Sequence, residues 1–159
     1  MEKKEQCCPK FDPAPWEGKT HIWKNKLFIE DDIKQLFHMP INMGPVITRM
    51  WKKIEDAGAK PEDKDFLMLA YDPSPWKSEF YISVTRKVPE AKNVTLSGSF
   101  ISKVFEGPYN AVPKWIKEMD EYLSSINKKA KRYLFYYTTC PKCAKIYGKN
   151  YVVVFAEIE

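Results

Sequence analysis

The chain has little of what usually betrays an enzyme in sequence. Among its 159 residues are two histidines, four cysteines and six glycines. No apolar stretch approaches the ~18 residues of a membrane span, and no apolar h-region follows the opening Met1-Glu2-Lys3-Lys4. We therefore expect a soluble, cytoplasmic protein with no membrane partner. There is no phosphate loop and no dinucleotide fingerprint, and no serine or histidine falls in a recognised nucleophile motif. His21 and His38 are isolated, so a two-histidine metal site is not expected. A charge excess of one sign is missing too. The net charge of +5 comes from 26 basic and 21 acidic residues, and lysines stand next to acids along the chain. That balance describes a solvated surface, not a nucleic-acid footprint. At this length the chain forms about one domain with a core of its own. It needs no disulfide framework, in keeping with a reducing compartment.

What is present is aromatic. Phe, Trp and Tyr make up 14% of the residues, with five Trp and nine Tyr. This exceeds what a core requires and predicts an aromatic-lined pocket for a small hydrophobic or aromatic molecule. The cysteines fall in two pairs, Cys7-Cys8 near one end and Cys140-Pro141-Lys142-Cys143 near the other. The second is a good zinc knuckle, because two-residue spacing lets both sulfurs reach one tetrahedral ion. Adjacent Cys7 and Cys8 can both ligate only where the backbone is irregular. A structural zinc, a redox or disulfide pair, and thiols that merely pack are the readings the pattern admits. No other cofactor is required. A thioredoxin-type site is disfavoured, since a strand follows the motif where a helix would be needed.

Residues 1–32 read as an irregular arm. Pro9, Pro13 and Pro15 bar a helix or a central strand, while Phe11, Trp16, Trp23, Leu27 and Phe28 predict that the arm packs on the domain. Residues 33–159 read as a tandem repeat, 33–88 and 93–159. In the first copy a strand at 33–41 leads to Gly44-Pro45, which starts a helix with proline in its first turn. Val46, Ile47, Met50, Trp51, Ile54 and Ala57 mark that helix, and Gly58 ends it. Strands at 66–71 and 80–85 follow. In the second copy a strand at 94–105, broken at Gly98, leads to Gly107-Pro108. Val112, Trp115, Ile116, Met119, Tyr122, Leu123 and Ile126 make the next apolar stripe, and strands at 133–138 and 151–158 complete it. The order βαββ therefore occurs twice.

The predicted fold class is α+β, with an antiparallel sheet, two helices on one face and a ligand groove on the other. Alternate strand positions supply the lining. Candidate ligand-binding residues are Trp16, Trp23, Tyr71, Trp76, Tyr81, Phe105, Tyr109, Phe135, Tyr137 and Tyr151, with Phe155 beside them.

Phe105-Glu106-Gly107-Pro108-Tyr109, leading into the second helix of a tandem βαββ chain, resembles the GyrI-like small-molecule-binding domains, the effector domains of multidrug-sensing regulators. Cys7-Cys8-Pro9-Lys10-Phe11-Asp12-Pro13, Trp16 with Lys19, Lys26-Leu27-Phe28, Thr138 to Lys145 and Tyr147 to Tyr151 resemble a stand-alone bacterial subfamily often labelled hydrolase. The resemblance implies a ligand groove and, from related stand-alone members, addition of water to the ligand. In the regulators a buried glutamate on the strand after the second helix recognises cationic drugs. The matching stretch here, Arg132 to Thr138, keeps the aromatics and has no acid.

Hydrolysis needs a base and an acid. Glu106, at a strand-to-helix junction, is the candidate base, and Tyr137 or Tyr151 the candidate donor to a developing oxyanion. The expected function is binding of an aromatic or amphipathic molecule, with hydrolysis as an added step. The alternatives are an interaction protein that uses a cysteine metal clip and takes a protein partner, or a thiol redox sensor.

Overall fold

The computed structural model describes residues 13–36, 39–62, 65–74, 76–107, 111–137 and 151–158. Among the described residues are seven strands and two helices: β1 (Lys19–Leu36), β2 (Met39–Pro40), α1 (Met43–Asp56), β3 (Met68–Ser74), β4 (Lys77–Ser83), β5 (Lys92–Glu106), α2 (Val112–Ser125), β6 (Ala130–Tyr137) and β7 (Tyr151–Ile158). Two compact units divide the chain, Ile22–Gly98 and Met1–His21 with Ser99–Glu159. The boundaries fall inside β1 and β5.

In the Ile22–Gly98 unit, β1 pairs antiparallel with β4 from Phe28↔Ser83 to Lys34↔Lys77, and β3 pairs antiparallel with the other side of β4. The short β2 caps the outer edge of β1, with Pro40 opposite Gln35. An edge position suits proline, which has no N–H to donate. The Pro45-containing α1 buries Val46, Met50 and Ile54 at helical spacing. Its Arg49 binds Asp31 of β1 through Nε and Nη2, at 3.0 and 2.7 Å. Asp31 lies across from Phe80, and opposed residues share a sheet face. The helix side of this sheet therefore carries Ile29, Asp31, Ile33, Phe80 and Ile82. Gly58 ends the helix region in the left-handed conformation, φ +60°, which a residue with a Cβ adopts at a cost.

In the other unit, the strand order is β6, β7, β5, both pairings antiparallel. Val152 to Ala156 are all buried, so the central strand β7 is covered on both faces. The α2 side is fixed by Phe105, whose ring stacks on Trp115 at 5.7 Å, and by Tyr133, whose hydroxyl donates to Asp120. Burial, with help from that bond, raises the Tyr133 pKa well above the ordinary phenol value. Trp115, Met119 and Leu123 form the buried stripe of α2.

The tandem βαββ order is present, with one correction. The irregular arm predicted to residue 32 ends at Gly18, and Lys19–Leu36 is a strand of 18 residues. The prolines that suggested irregularity all precede Trp16, and from Trp16 to Met39 nothing prevents strand pairing. The strand predicted over 33–41 is in fact the end of β1 and the antiparallel β2.

Candidate functional site

The face of the Ile22–Gly98 sheet opposite α1 is set by register. Phe28↔Ser83, Glu30↔Tyr81 and Asp32↔Glu79 face one another on β1 and β4, and Leu69↔Tyr81 and Tyr71↔Glu79 extend the row onto β3. Carboxylates and aromatic rings therefore share one surface. Oxygens of Glu30, Asp32 and Glu79 all lie within 4.8 Å of one another. Phe28 stands edge-on to Tyr81, centroids 6.4 Å apart, and Trp23 lies 6.1 Å from Phe28. Two lysines offset the acids. Lys92 Nζ is 2.8 Å from Glu30, and Lys77 Nζ is 3.6 Å from Asp32. The Glu30 side chain is only 5% exposed, whereas that of Lys92 is 68% exposed. Hydrogen bonding to Glu30 raises the Lys92 pKa. The deepest carboxylate of the cluster is thus neutralised by an amine standing in solvent.

The second unit presents a different arrangement on the face opposite α2. Ser102↔Phe155↔Leu134 and Val104↔Val153↔Tyr136 are aligned across β5, β7 and β6. Trp16 packs edge-on against Phe155 and Tyr136, each with centroids 5.8 Å away, and His21 completes the cluster at 5.5 Å from both Trp16 and Phe155. The buried Ser102 Oγ lies 2.6 Å from the Trp16 carbonyl and 2.7 Å from His21 Nε2. A hydroxyl has one proton. Given to the carbonyl, which can only accept, it leaves Ser102 Oγ to accept from the Nε2–H of His21. A serine activated by histidine needs the reverse, so this pair is a clasp and not a nucleophile with its base. Burial lowers the His21 pKa, favouring the neutral ring.

The structure sorts the expected site residues. Tyr71, Tyr81 and Trp23 join the carboxylate-bearing face of one unit, and Trp16 joins the aromatic cluster of the other. Tyr151 is opposite the exposed Glu106 in register. Phe105 and Phe135 do not join them. Both are on the α2 side, Phe105 on Trp115 and Phe135 opposite Val154; one step along β6, Tyr136 faces the other way. Tyr137 is opposite Val152, not in line with Glu106. Trp76 sits at the β3–β4 turn, 53% exposed, with its carbonyl accepting from the Gln35 N–H. Tyr109 and the four cysteines Cys7, Cys8, Cys140 and Cys143 lie outside the described residues. Sequence reasoning missed Phe28, Glu30, Asp32, Glu79, His21, Ser102 and Tyr136. The alternation Phe28-x-Glu30-x-Asp32 was the available signal, hidden in a stretch assigned to the arm.

This architecture is the α+β, tandem βαββ fold of the GyrI-like effector domains. The C-terminal domain of EcmrR has it at 10% identity and TM-score 0.69, over 91% of this chain and 98% of that one. An uncharacterised conserved protein from Listeria innocua matches at 9% identity and TM-score 0.68, over 90% and 92% of the two chains. SAV2435, solved with tetraphenylphosphonium bound, is more distant, at 13% identity and TM-score 0.48 over 90% and 94%. No curated protein matches the chain in sequence. The chain belongs to the family described as Bacterial hydrolase, which matches residues 1–158. Among the described residues, no helix is long and apolar enough to cross a membrane.

Proposed function

We propose that the chain binds a small aromatic cation on the carboxylate-bearing sheet face of the Ile22–Gly98 unit. The observation that carries this reading is the placement of Glu30, with its 5% exposed side chain, in register with Tyr81 and beside Phe28. A buried carboxylate needs a counter-charge, and aromatic faces attract cations through their quadrupoles. Lys92 supplies the charge in the unliganded protein from a solvent-exposed position, where a better-desolvated cation can replace it. Asp32 and Glu79 add negative potential, and Tyr71 and Trp23 add ring surface. The acid that the regulators carry after their second helix has its counterpart here in the first half of the chain.

Titration with tetraphenylphosphonium, a cation that donates no hydrogen bond, tests this. Wild-type protein should bind saturably and Glu30→Gln should lose about tenfold or more in affinity, since one charge pair of ~1.4 kcal/mol already changes an equilibrium tenfold. Equal affinity in the two proteins overturns the proposal.

Family membership and the Glu106↔Tyr151 register support a second reading, in which the unit formed by Met1–His21 and Ser99–Glu159 hydrolyses a small molecule. Glu106 then activates water and Tyr151 donates to the developing oxyanion. In a screen of ester and amide substrates, Glu106→Gln should lower turnover about a hundredfold and leave tetraphenylphosphonium affinity unchanged. Turnover unaffected by Glu106→Gln removes Glu106 from the chemistry.

A further inference from the structure

We infer that Trp16 is a resident plug in an aromatic-binding site on the unit formed by Met1–His21 and Ser99–Glu159, and that a flat, uncharged, indole-sized aromatic molecule takes its place. This inference does not rest on the reading proposed for the carboxylate-bearing face.

Three observations point this way. First, Phe155 is fully buried although it lies on the face opposite α2. Trp16 and His21 pack against it there. Second, the Trp16 ring is surrounded as a bound aromatic ligand would be. It meets Phe155 at an interplanar angle of 78° and Tyr136 at 85°, with His21 tilted beside it. Edge-to-face contacts of this kind are indifferent to which aromatic molecule supplies the central ring. Third, Trp16 is carried by a turn, residues 14–18, that is fastened to the sheet by polar contacts. Trp16 N–H and Glu17 N–H both donate to Pro13 O, at 3.0 and 3.1 Å. Gly18 follows in the left-handed conformation, φ +63°. Fastenings to the sheet among the described residues include Ser102 on the Trp16 carbonyl, the Val104 N–H on the Glu17 carboxylate at 2.9 Å, and Lys103 on the same carboxylate at 3.9 Å. These hold the backbone or Glu17 and not the indole ring. Trp16 itself is half-buried. A core tryptophan is normally locked by packing on all sides, whereas this one sits under a clasp.

A plug that must leave before a ligand enters weakens the apparent affinity by the fraction of molecules in which it is out. Removing the plug recovers that factor, and loosening the clasp recovers part of it. The experiment uses 5-fluoroindole as probe, followed by fluorine NMR, on wild type, Trp16→Ala and Ser102→Ala, with circular dichroism to show that each is folded. The expected result is binding to Trp16→Ala about tenfold or more tighter than to wild type, with Ser102→Ala between them. Saturating probe should also speed amide exchange at Val104 in wild type, because the Glu17 carboxylate departs with the plug. Affinities indistinguishable among the folded proteins overturn the inference, as does probe binding to Trp16→Ala alone with no gain in Ser102→Ala, which is the behaviour of an ordinary cavity left by a core residue. If Trp16→Ala does not fold, Ser102→Ala and Val104 exchange decide. None of these readouts involves Glu30, so their failure leaves the cation proposal standing, and the reverse.

Discussion

Glu30 and Lys92 form an ion pair whose two members live in different media: the carboxylate is 5% exposed and the ammonium 68%, at 2.8 Å. Removing one partner of such a pair strands the other, and the cost falls on whichever charge is buried. Lys92→Ala therefore leaves Glu30 uncompensated and should lower the melting temperature. Because Lys92 occupies the position of the proposed cation, the same variant should bind tetraphenylphosphonium about fivefold tighter, at the low end of ordinary coupling between binding events. Calorimetry on the two proteins checks both. Weaker binding by Lys92→Ala would place the lysine among the ligand contacts and not in competition with the ligand.

The turn that delivers Lys92 is held by its neighbour. Asn93 Oδ1 accepts from the Val88 N–H at 2.8 Å, and its Nδ2 donates to the Val88 and Ala91 carbonyls at 2.9 and 3.0 Å. Glu90, inside the loop, has φ +62°, a conformation that such a clamp helps to maintain. Asn93→Ala should cost about 2 kcal/mol, since each net hydrogen bond is worth ~1 kcal/mol and losses in one cluster overlap. Urea unfolding measures it, and a change below about 0.5 kcal/mol would show that the turn holds without its clamp.

Acidification should weaken the His21 clasp. Burial lowers the His21 pKa in the folded protein below its ordinary 6.5. Between the two values the unfolded chain binds more protons, so stability falls as pH drops below 6.5 and levels off beneath the folded pKa. Above 6.5 the term contributes no pH dependence. Melting temperatures of wild type and His21→Gln across this window should diverge in slope, wild type being the steeper toward acid. Parallel curves would mean that the ring is protonated as easily in the fold as in water.

Large-to-small changes on β7 test how firmly its two faces are closed. Phe155→Ala should cost about 3–5 kcal/mol, the usual range for a buried phenylalanine, and should shift one tryptophan resonance, that of Trp16. Met119→Ala, on α2, should cost about 2–5 kcal/mol and leave Trp16 unmoved. A Trp16 response to both would mean that the two faces of β7 are not insulated from each other.

Both helices were legible in sequence because two independent signals coincided at each. Gly44-Pro45 falls in the first turn of α1, Gly107-Pro108 precedes α2, which begins at Val112 with Pro113 in its own first turn, and apolar residues recur at helical spacing behind each. The strand β1 was not legible before residue 33. Its apolar positions are interrupted by Glu30, Asp31 and Asp32, whose place in a strand makes sense only once Lys92, Arg49 and Lys77 are known to meet them. Such partners are distant in sequence, and single-chain pattern carries no trace of the pairing. The site failed in part for a second reason. Phe135, Tyr136 and Tyr137 are consecutive aromatics, so period-two alternation has no contrast there. Register with β7 alone decides that Tyr136, and not Phe135, meets Trp16.

Because β7 lies between β5 and β6, the two halves of the chain mature on different schedules. Ile22–Gly98 is one uninterrupted piece, so the partners of its β1–β4 and β3–β4 pairings are all made before Ser99. Residues 13–21 are made before that piece, but the strand rings that Trp16 packs against, Tyr136 of β6 and Phe155 of β7, arrive more than a hundred residues later. Trp16 is thus an exposed aromatic during most of synthesis. Closing its loop is the longest-range step in the assembly of its unit, and such steps are slow. Nascent chains stalled before Ala130, which lack both Tyr136 and Phe155, should keep that tryptophan in reach of chaperones.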